Sequence, residues 1–197
     1  MIGGKDVDLA RVRALVRARQ SDRERWLEPE NLRNWDERAR RVATFLSKGQ
    51  TIIDLGCGSM TIRNLLPAGC TYIPADIVKR CEDCRLIDLN EGIWPDETAD
   101  VVTALGVLEY LYDLRAFFQG CARMAPRLLF SYHVSYTRKP ATRTARLAMG
   151  WLNDFPLSLV IAEIAKAGGK IDRIDGFMHK NNYTQYLFVV QFPAQKT

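Results

Sequence analysis

The sequence has 197 residues, and 47% of them are hydrophobic. A chain of this length and composition fits one globular domain that buries its core without disulfides or metals. The 28 basic residues exceed the 23 acidic ones by only five, which excludes a protein that coats nucleic acid through charge alone. We expect a single domain over residues 1–197, with a helical cap over 1–49 and an α/β core over 50–197.

Cysteine usage and the absence of long apolar runs indicate the compartment. Five cysteines are scattered along the chain, an odd number that does not suggest a disulfide framework. Cys81 and Cys84 have the spacing of a zinc knuckle, but no second pair follows to complete a four-ligand site. No signal peptide is recognisable, and no run approaches the ~20 apolar residues of a membrane span. The sequence predicts a soluble cytoplasmic protein without a metal or a membrane span.

Two amphipathic helices are predicted before the first strand, over Val7 to Arg19 and over Asn31 to Leu46. Ten arginines and six acidic residues lie between Arg11 and Arg41. We interpret these arginines as a solvated helix face on which acids and bases alternate. An arm that binds RNA is the alternative interpretation.

From Gln50 onward, short apolar runs alternate with helical stretches, a pattern typical of a parallel sheet with crossover helices. Five strands are predicted first, at Thr51 to Leu55, Thr71 to Ala75, Arg85 to Ile87, Ala99 to Leu105 and Arg127 to Tyr132. Helices are predicted over Leu114 to Ala125 and over about Pro156 to Ala167, the second capped by Asp154.

Two further runs, Lys170 to Phe177 and Tyr183 to Phe192, are joined by too few residues for a crossover helix. They must therefore pair as antiparallel strands. The predicted fold is α/β: a three-layer sandwich with a seven-stranded, mostly parallel sheet, an antiparallel last strand and helices on both faces.

A glycine turn follows the first predicted strand, in the sequence Asp54-Leu55-Gly56-Cys57-Gly58. Gly56 and Gly58 allow a ligand to lie against bare main chain at the carboxyl end of the strand, where ligands of open α/β sheets bind. The carboxylate of Asp54 would repel a pyrophosphate and attract an ammonium group. The turn therefore favours a cationic or zwitterionic ligand.

Two more acidic residues end the next two predicted strands. Asp76 follows Gly56 by 20 residues, a spacing at which a carboxylate accepts hydrogen bonds from ribose hydroxyls. Asp88 ends the third strand, where a carboxylate can accept from the exocyclic amine of adenine. Each acid alone is equally well explained as a helix cap or a turn residue. Ammonium, ribose and adenine together describe S-adenosylmethionine.

These segments resemble class I S-adenosylmethionine-dependent methyltransferases of the Rossmann-like fold, through "IIDLGCG", "YIPADIV", "LIDLNEG" and "ADVVTALGVLEYL". The resemblance covers most of Gln50 to Phe192 and implies S-adenosyl-L-methionine as the cofactor. The contacts that it implies come from the ends of four strands: Asp54 near the amino group, Gly56 and Gly58 against the methionine part, Asp76 on the ribose, Asp88 and Leu89 beside the adenine, and Leu105 and Gly106 on the methionine side. Cys57 and Ile77, which neighbour two of these positions, complete the expected cofactor-binding set.

The sequence departs from the family pattern at two places. Met60 stands where a third glycine is usual, and either packs beneath the turn or borders the methionine part of the cofactor. The fourth strand ends in "TALGVLEY", without the Asn-Pro-Pro-Tyr type of motif that accompanies methylation of amino groups in adenine or glutamine. This second departure disfavours those two acceptors.

Methyl transfer from a sulfonium needs few catalytic groups, because positioning of the acceptor supplies much of the acceleration. A hydroxyl acceptor would benefit from a general base, and His133, at or just beyond the end of the fifth predicted strand, is the first candidate. A histidine that only fills the strand end and forms hydrogen bonds there explains this position equally well. Glu109 is the second, either as the base or as a group that orients the acceptor. His179 is interpreted as a surface residue, and Tyr110 and Tyr132 as core residues that could also form aromatic walls.

The expected function is methyl transfer to a small molecule or glycan, by O-methylation. The basic stretch from Thr137 to Arg146 suits an anionic acceptor, although a mobile lid explains it equally well. Two alternatives stay open: an RNA methyltransferase, and a non-catalytic module that binds S-adenosylmethionine. A nicotinamide-binding oxidoreductase is disfavoured by Asp54, by the missing third glycine and by the antiparallel end of the sheet.

Overall fold

The architecture is known from a computed structural model, which describes residues 7–32, 36–134, 140–178 and 184–193. The strands are β1 (Thr51–Leu55), β2 (Thr71–Asp76), β3 (Arg85–Leu86), β4 (Val101–Leu105), β5 (Arg127–His133), β6 (Lys170–Met178) and β7 (Thr184–Gln191). The helices are α1 (Leu9–Ala18), α2 (Arg23–Leu27), α3 (Asp36–Ala43), α4 (Leu114–Met124), α5 (Pro140–Ala148) and α6 (Leu157–Lys166).

All seven strands form one sheet, in the order β3-β2-β1-β4-β5-β7-β6. The first five pair in parallel, whereas β7 lies antiparallel between β5 and β6. The predicted seven-stranded sheet with an antiparallel last strand is thereby confirmed. The strand order reverses between β1 and β4, and in open α/β sheets this reversal leaves a crevice at the carboxyl ends of the strands.

Apolar side chains cover both faces of the sheet, because successive residues of a buried strand point to opposite sides. On one face, Phe130 of β5 and Phe188 of β7 stack and pack with Phe118 of α4. On the other face, Ile52 of β1 and Leu129 of β5 pack with α3. The predicted layer of helices on each face is therefore present.

The connection from β1 to β2 is the clearest difference from the usual pattern of a strand followed by an α-helix. Residues 56–70 contain a 3₁₀ helix, Thr61–Leu65, and turns, but no α-helix. The main chain at Met60 adopts the left-handed conformation immediately before this 3₁₀ helix, so a regular α-helix cannot begin at the glycine turn. The glycine turn after β1 is therefore not followed by a long helix whose N-terminus could face a ligand.

The N-terminal segment is more divided than the sequence pattern predicts. The predicted helix from Asn31 to Leu46 is a 3₁₀ helix, Pro29–Leu32, followed by α3. The short helix α2 was not predicted, because its five residues are too few to show a periodicity. Both limits of helix α1 lie within one or two residues of the predicted ones. Its buried residue Val12 packs with Leu147 of α5 and with Leu152.

Two details near α5 and α6 differ from expectation. Helix α5 was not predicted, since its short sequence is rich in threonine and arginine and contains a single large apolar residue, Leu147. Asp154 does not cap α6: the N-cap is Pro156 without a side-chain bond, and Asp154 pairs instead with Arg143 at 3.2 Å. Residues 135–139 and His179 lie outside the described residues. No helix in the described part of the chain has the length and apolarity that a membrane crossing requires.

Candidate functional site

The turn after β1 is tied to the end of β2 by main-chain hydrogen bonds. The amides of Gly56 and Cys57 both donate to the carbonyl of Ala75, at 2.7 and 3.1 Å. Gly56 has φ of +68°, and a Cβ at this position would overlap the side chain of Val107, which follows β4. Glycine is therefore required here by both conformation and space.

Met60 occupies the position at which the family usually has glycine, and the structure shows why glycine suits it. Its φ is 55° and its ψ is 34°, in the left-handed region that side chains disfavour. The thioether sulfur lies 3.7 Å from the thiol of Cys81. Met60 does not border the cleft described below. Met60 is half-buried and belongs to none of the buried hydrophobic clusters of the described residues, so its role, beneath the turn or beside the cofactor, stays a prediction.

Asp54, near the end of β1, accepts hydrogen bonds from two hydroxyl groups. Thr103 donates to Oδ1 at 2.6 Å and Tyr72 donates to Oδ2 at 2.7 Å. Burial disfavours the charged form and outweighs these two bonds, so the pKa of Asp54 is raised from 3.8 to about 6. The nearby charge of Asp76 acts in the same direction. An ammonium group beside Asp54 would relieve this cost.

Asp76, at the end of β2, fixes the glycine turn as well as facing the cleft. Its Oδ2 accepts from the amide of Gly58 at 2.9 Å, and its Oδ1 accepts from the amide of Val78 at 3.0 Å. Arg80 lies 3.3 Å from Oδ1. A carboxylate offers about four lone-pair positions, so it can still accept hydrogen bonds from a ligand.

Asp88 connects the third strand region to the N-terminal segment. Ser21 donates to Asp88 Oδ1 at 2.7 Å, and the side-chain amide of Asn90 donates to the Ser21 hydroxyl at 2.9 Å. The same amide donates to the carbonyl of Tyr110 at 2.9 Å. This network joins residues before α2 to the segment after β4, and its four members all line the cleft described below.

The predicted cofactor-binding residues all border one cleft at the carboxyl ends of β1, β2 and β4. The cleft has about 1000 Å³ of empty space, part of which is open solvent. All ten predicted positions line it: Asp54, Gly56, Cys57, Gly58, Asp76, Ile77, Asp88, Leu89, Leu105 and Gly106. The structure thus brings together residues that span more than 50 positions of sequence.

Sequence reasoning missed the contribution of the N-terminal segment to this cleft. Ser21, Asp22, Trp26, Leu32 and Arg38 also line it. Trp26 meets Tyr110 edge to face, with ring centroids 4.9 Å apart, so the expected aromatic wall contains Tyr110. The sequence held no local signal for these contacts, since a helix pattern does not show which strand end it will cover.

Arg38 is the most unusual of these missed residues, because it is a charged side chain that is only 6% exposed. It lies against Gly106, whose φ is +73° and where an added Cβ would overlap the guanidinium. Burial lowers the pKa of Arg38 to about 10, against the opposing attraction of Glu109. The guanidinium therefore stays charged at neutral pH.

The two predicted catalytic residues contact each other. His133 Nδ1 lies 2.8 Å from Glu109 Oε1, and the His133 amide donates to the same oxygen at 2.9 Å. Burial alone would raise the pKa of Glu109, but the His133 bonds and the charge of Arg38 outweigh it, so this pKa is lowered. A charged carboxylate only accepts hydrogen bonds, so Nδ1 of His133 is the donor in this contact.

Neither His133 nor Glu109 lines the cleft itself, although Val107 and Tyr110, which flank Glu109, do. The histidine ring stacks on Trp151 at 4.6 Å, and the buried Arg146 donates to the His133 carbonyl at 2.8 Å. The pair is thus held firmly at the carboxyl edge of the sheet, next to the cleft wall.

The basic stretch from Thr137 to Arg146 is partly accounted for by internal contacts. Arg146 is 1% exposed and also donates to the hydroxyl of Tyr132, at 3.1 Å. Tyr132 in turn donates to Asn153, so it is a core residue and not a wall of the cleft. Arg143 pairs with Asp154. Arg138 and Lys139 lie outside the described residues.

No protein-family model and no curated protein sequence matches this chain. Solved structures do match it. The N-methyltransferase NodS of Bradyrhizobium japonicum, with S-adenosylhomocysteine bound, is 14% identical with a TM-score of 0.61, over 96% of this chain and 100% of that chain. The magnesium protoporphyrin IX methyltransferase of Synechocystis is 18% identical with a TM-score of 0.59, over 79% of this chain and 83% of that chain.

A phosphoethanolamine N-methyltransferase of Haemonchus contortus also matches, at 12% identity and a TM-score of 0.65, over 82% of this chain and 53% of that chain. The proteins that match share the seven-stranded sheet but act on different acceptors by their names. At these identities the similarity establishes the fold. The chain has the Rossmann-like fold of the class I S-adenosylmethionine-dependent methyltransferases.

Proposed function

We propose that this protein is an S-adenosylmethionine-dependent methyltransferase that acts on a hydroxyl group of a small molecule or glycan. One observation carries the proposal: Asp54, Asp76 and Asp88, from the ends of consecutive strands, line a single cleft with the glycine turn. The proteins of this fold that are compared above were solved with S-adenosylhomocysteine, the product of S-adenosylmethionine, bound.

Each carboxylate suits one part of the ligand. Asp54, buried beside the turn, would receive the ammonium group, and the charge of that group would compensate for the desolvation of Asp54. Asp76 would accept from the ribose hydroxyls while it holds the turn through Gly58. Asp88, fixed by Ser21, would accept from the adenine amine. The bound sulfonium would supply an activated methyl group.

His133 and Glu109 support the choice of a hydroxyl acceptor. A hydroxyl is a poor nucleophile at neutral pH until a base takes its proton. Glu109 fixes the tautomer of His133 so that Nε2 can accept that proton, and it stabilises the imidazolium that results. An amine acceptor needs less help, because its neutral form is already nucleophilic.

The proposal does not include an anionic acceptor. Arg143 and Arg146, which belong to the basic stretch on which that expectation rested, are engaged with Asp154 and with the carbonyls of Asn153 and His133. The charge of Arg146 is therefore used within the fold, whereas the side chain of Arg143 is 47% exposed despite its ion pair.

Incubation with labelled S-adenosylmethionine and a panel of phenols, sugars and amines tests the proposal. We expect S-adenosylhomocysteine to form with at least one hydroxyl compound. His133→Asn should lower its turnover by about 10²- to 10⁴-fold, the usual contribution of a general base, with little change in cofactor affinity. Cofactor binding without turnover on any acceptor would instead favour the non-catalytic module.

A further inference from the structure

Arg146 is a buried cation to which the proposed function assigns no role. Its side chain is 1% exposed. Nε donates to the carbonyl of Asn153 at 2.6 Å, Nη1 to the carbonyl of His133 at 2.8 Å and Nη2 to the hydroxyl of Tyr132 at 3.1 Å. All three acceptors are neutral oxygen atoms, and burial of a charge without an opposite charge is costly. This cost calls for an explanation beyond packing.

The guanidinium of Arg146 restrains both the main chain and the ring of His133. Its bond to the His133 carbonyl holds the end of β5. The guanidinium carbon also lies 4.7 Å from the centroid of the Trp151 ring, and that ring stacks on the His133 imidazole with centroids 4.6 Å apart. A cation and a flat ring are both attracted to the face of an indole. Arg146 therefore acts on the imidazole through the main chain and through Trp151.

The residues that follow Trp151 hold the other member of the predicted catalytic pair. Glu109 lies in a short 3₁₀ helix after β4. The amide of Leu152 donates to the carbonyl of Glu109 at 2.8 Å. The side-chain amide of Asn153 donates to the carbonyls of Leu108 and Leu111, on either side of Glu109. Two consecutive residues thus fix the main chain around Glu109.

The sheet alone does not hold His133 and Glu109 together. The paired part of β4 and β5 ends at Leu105 and Ser131, before either of the two residues is reached. Arg146 spans this gap, because it binds the His133 carbonyl and also the segment after α5 that holds Glu109. One side chain therefore joins the supports of both groups.

We propose that Arg146 is a positioning residue for the His133–Glu109 pair and acts through Trp151 and Asn153. This inference rests on the proposed function, in which His133 takes a proton from the acceptor. Arg146 does not line the cleft, so its effect reaches the reaction only through the pair. Fixed geometry matters there, since a displacement of about 1 Å can cost about 100-fold in rate. A planar guanidinium with three fixed bonds provides it better than an ammonium group.

The first test observes the imidazole of His133 and needs no acceptor. The chain has two histidines, so His133→Asn identifies the His133 signals in a nitrogen–proton correlation spectrum. In the wild type we expect a slowly exchanging proton on Nδ1, because Glu109 accepts it in a buried site. Arg146→Met should make this proton exchange faster and shift the imidazole signals. Arg146→Lys, which keeps the charge but not the fork of donors, should have an intermediate effect.

The second test is kinetic and uses an acceptor that the panel described above identifies. Arg146→Met should lower kcat by roughly 10- to 100-fold, because the base is displaced, with little change in the KM for the acceptor or in the affinity for S-adenosylhomocysteine. Trp151→Leu should lower kcat in the same way. Trp151→Phe keeps an aromatic ring and should retain most of the activity.

Arg127→Met is the matched control for both tests. Arg127 begins β5, at the end opposite His133, and it also donates to a main-chain carbonyl, that of Phe45, at 2.7 Å. Its substitution measures the general effect of losing a bond between an arginine and a carbonyl. We expect the folded Arg127→Met protein to keep the imidazole signals and the kcat of the wild type.

The outcomes separate this inference from the proposed function. If the wild type methylates no acceptor, the proposed function fails, and the imidazole signals alone decide the role of Arg146. Imidazole signals or a kcat equal to those of the wild type in folded Arg146→Met would overturn the inference. Equal losses of kcat in Arg146→Met and Arg127→Met would overturn it as well. If Arg146→Met does not fold, the same criteria apply to Trp151→Leu.

Discussion

Asp54 combines a charge with deep burial, and this combination makes cofactor binding sensitive to pH. Its pKa is raised to about 6 because desolvation outweighs the hydrogen bonds from Thr103 and Tyr72. An ammonium group beside it would lower that pKa, so binding releases a proton whenever Asp54 is protonated in the free protein. The affinity should therefore be constant above about pH 7 and should fall as the pH drops below 6.

Calorimetric titration with S-adenosylhomocysteine between pH 5 and 8 checks this expectation, with a limiting slope of about tenfold per pH unit below pH 6. Asp54→Asn should bind more weakly at pH 7.5 and should lose the pH dependence. The free energy of unfolding of the ligand-free wild type should also decrease as the pH rises from about 4 to 6. The reason is that the native state holds the Asp54 proton more tightly than the unfolded chain does. A wild-type affinity that is flat down to pH 5 would show that Asp54 does not face the ammonium group.

Single residues also show what the sequence could and could not predict. The glycines and acids at strand ends were predictable, because a strand end, a turn and a carboxylate lie next to one another in the chain. Arg38 was not, since it meets Gly106 from a helix far away in sequence, and its own pattern resembles that of any exposed arginine. The contact between His133 and Glu109 could be suspected only from the order of the strands.

The glycine turn after β1 contains a residue whose type does not suit its main-chain conformation. Met60 holds a left-handed main chain, which costs a residue with a side chain about 1 kcal/mol or more. Met60→Gly removes that cost as well as the contact with Cys81, whereas Met60→Ala removes the contact and keeps the cost. We therefore expect Met60→Gly to be more stable than Met60→Ala by about 1 kcal/mol, the reverse of the order found in helices.

Urea unfolding of the two variants measures this difference. Because Met60 does not line the cleft, neither variant should change the affinity for S-adenosylhomocysteine once its folded fraction is taken into account. If the Met60→Ala variant is as stable as Met60→Gly, the turn of the alanine variant must have left the left-handed conformation. A specific loss of affinity in Met60→Gly would instead place the thioether against the ligand.

The strands were predicted closely because buried parallel strands read as short apolar runs between turn residues. The predicted limits of β1 are the observed ones, and those of β2 and β5 differ by one residue. The short helices were not predictable in the same way. Helices α2 and α5 have few apolar positions of their own, and they are held by contacts with distant parts of the chain.

At the scale of the whole molecule, several arginines of the N-terminal segment form ion pairs or hydrogen bonds within the protein. Arg11 pairs with Asp22 and Glu24, Arg41 pairs with Glu37, and Arg25 donates to the carbonyl of Met149. Their charge is partly neutralised within the protein, whereas Arg13, Arg17 and Arg23 are exposed, so the RNA-binding arm stays an open alternative. The same segment covers the cleft through Ser21 and Trp26, so its role is better explained by ligand enclosure.

The fold and the location of the cleft follow from the pattern of strands and strand-end residues, but the acceptor does not. Its recognition depends on side chains that several distant segments bring to the carboxyl edge of the sheet, and such convergence leaves no periodic signal in the sequence. Tyr110, Trp26 and the His133–Glu109 pair come from three different segments.

Calorimetry with S-adenosylhomocysteine on the wild type, Asp76→Asn and Asp76→Ala tests the central claim most directly, with Asp172→Asn on the exposed part of β6 as the control. We expect the wild type and the control to bind equally well. Asp76→Ala should lose about 1 to 3 kcal/mol of binding free energy, with a smaller loss in Asp76→Asn, which keeps an acceptor for the Gly58 amide. Thermal unfolding of each variant confirms that the protein is folded. Equal affinity in folded Asp76→Ala and wild type would contradict the assignment of this cleft as the cofactor site.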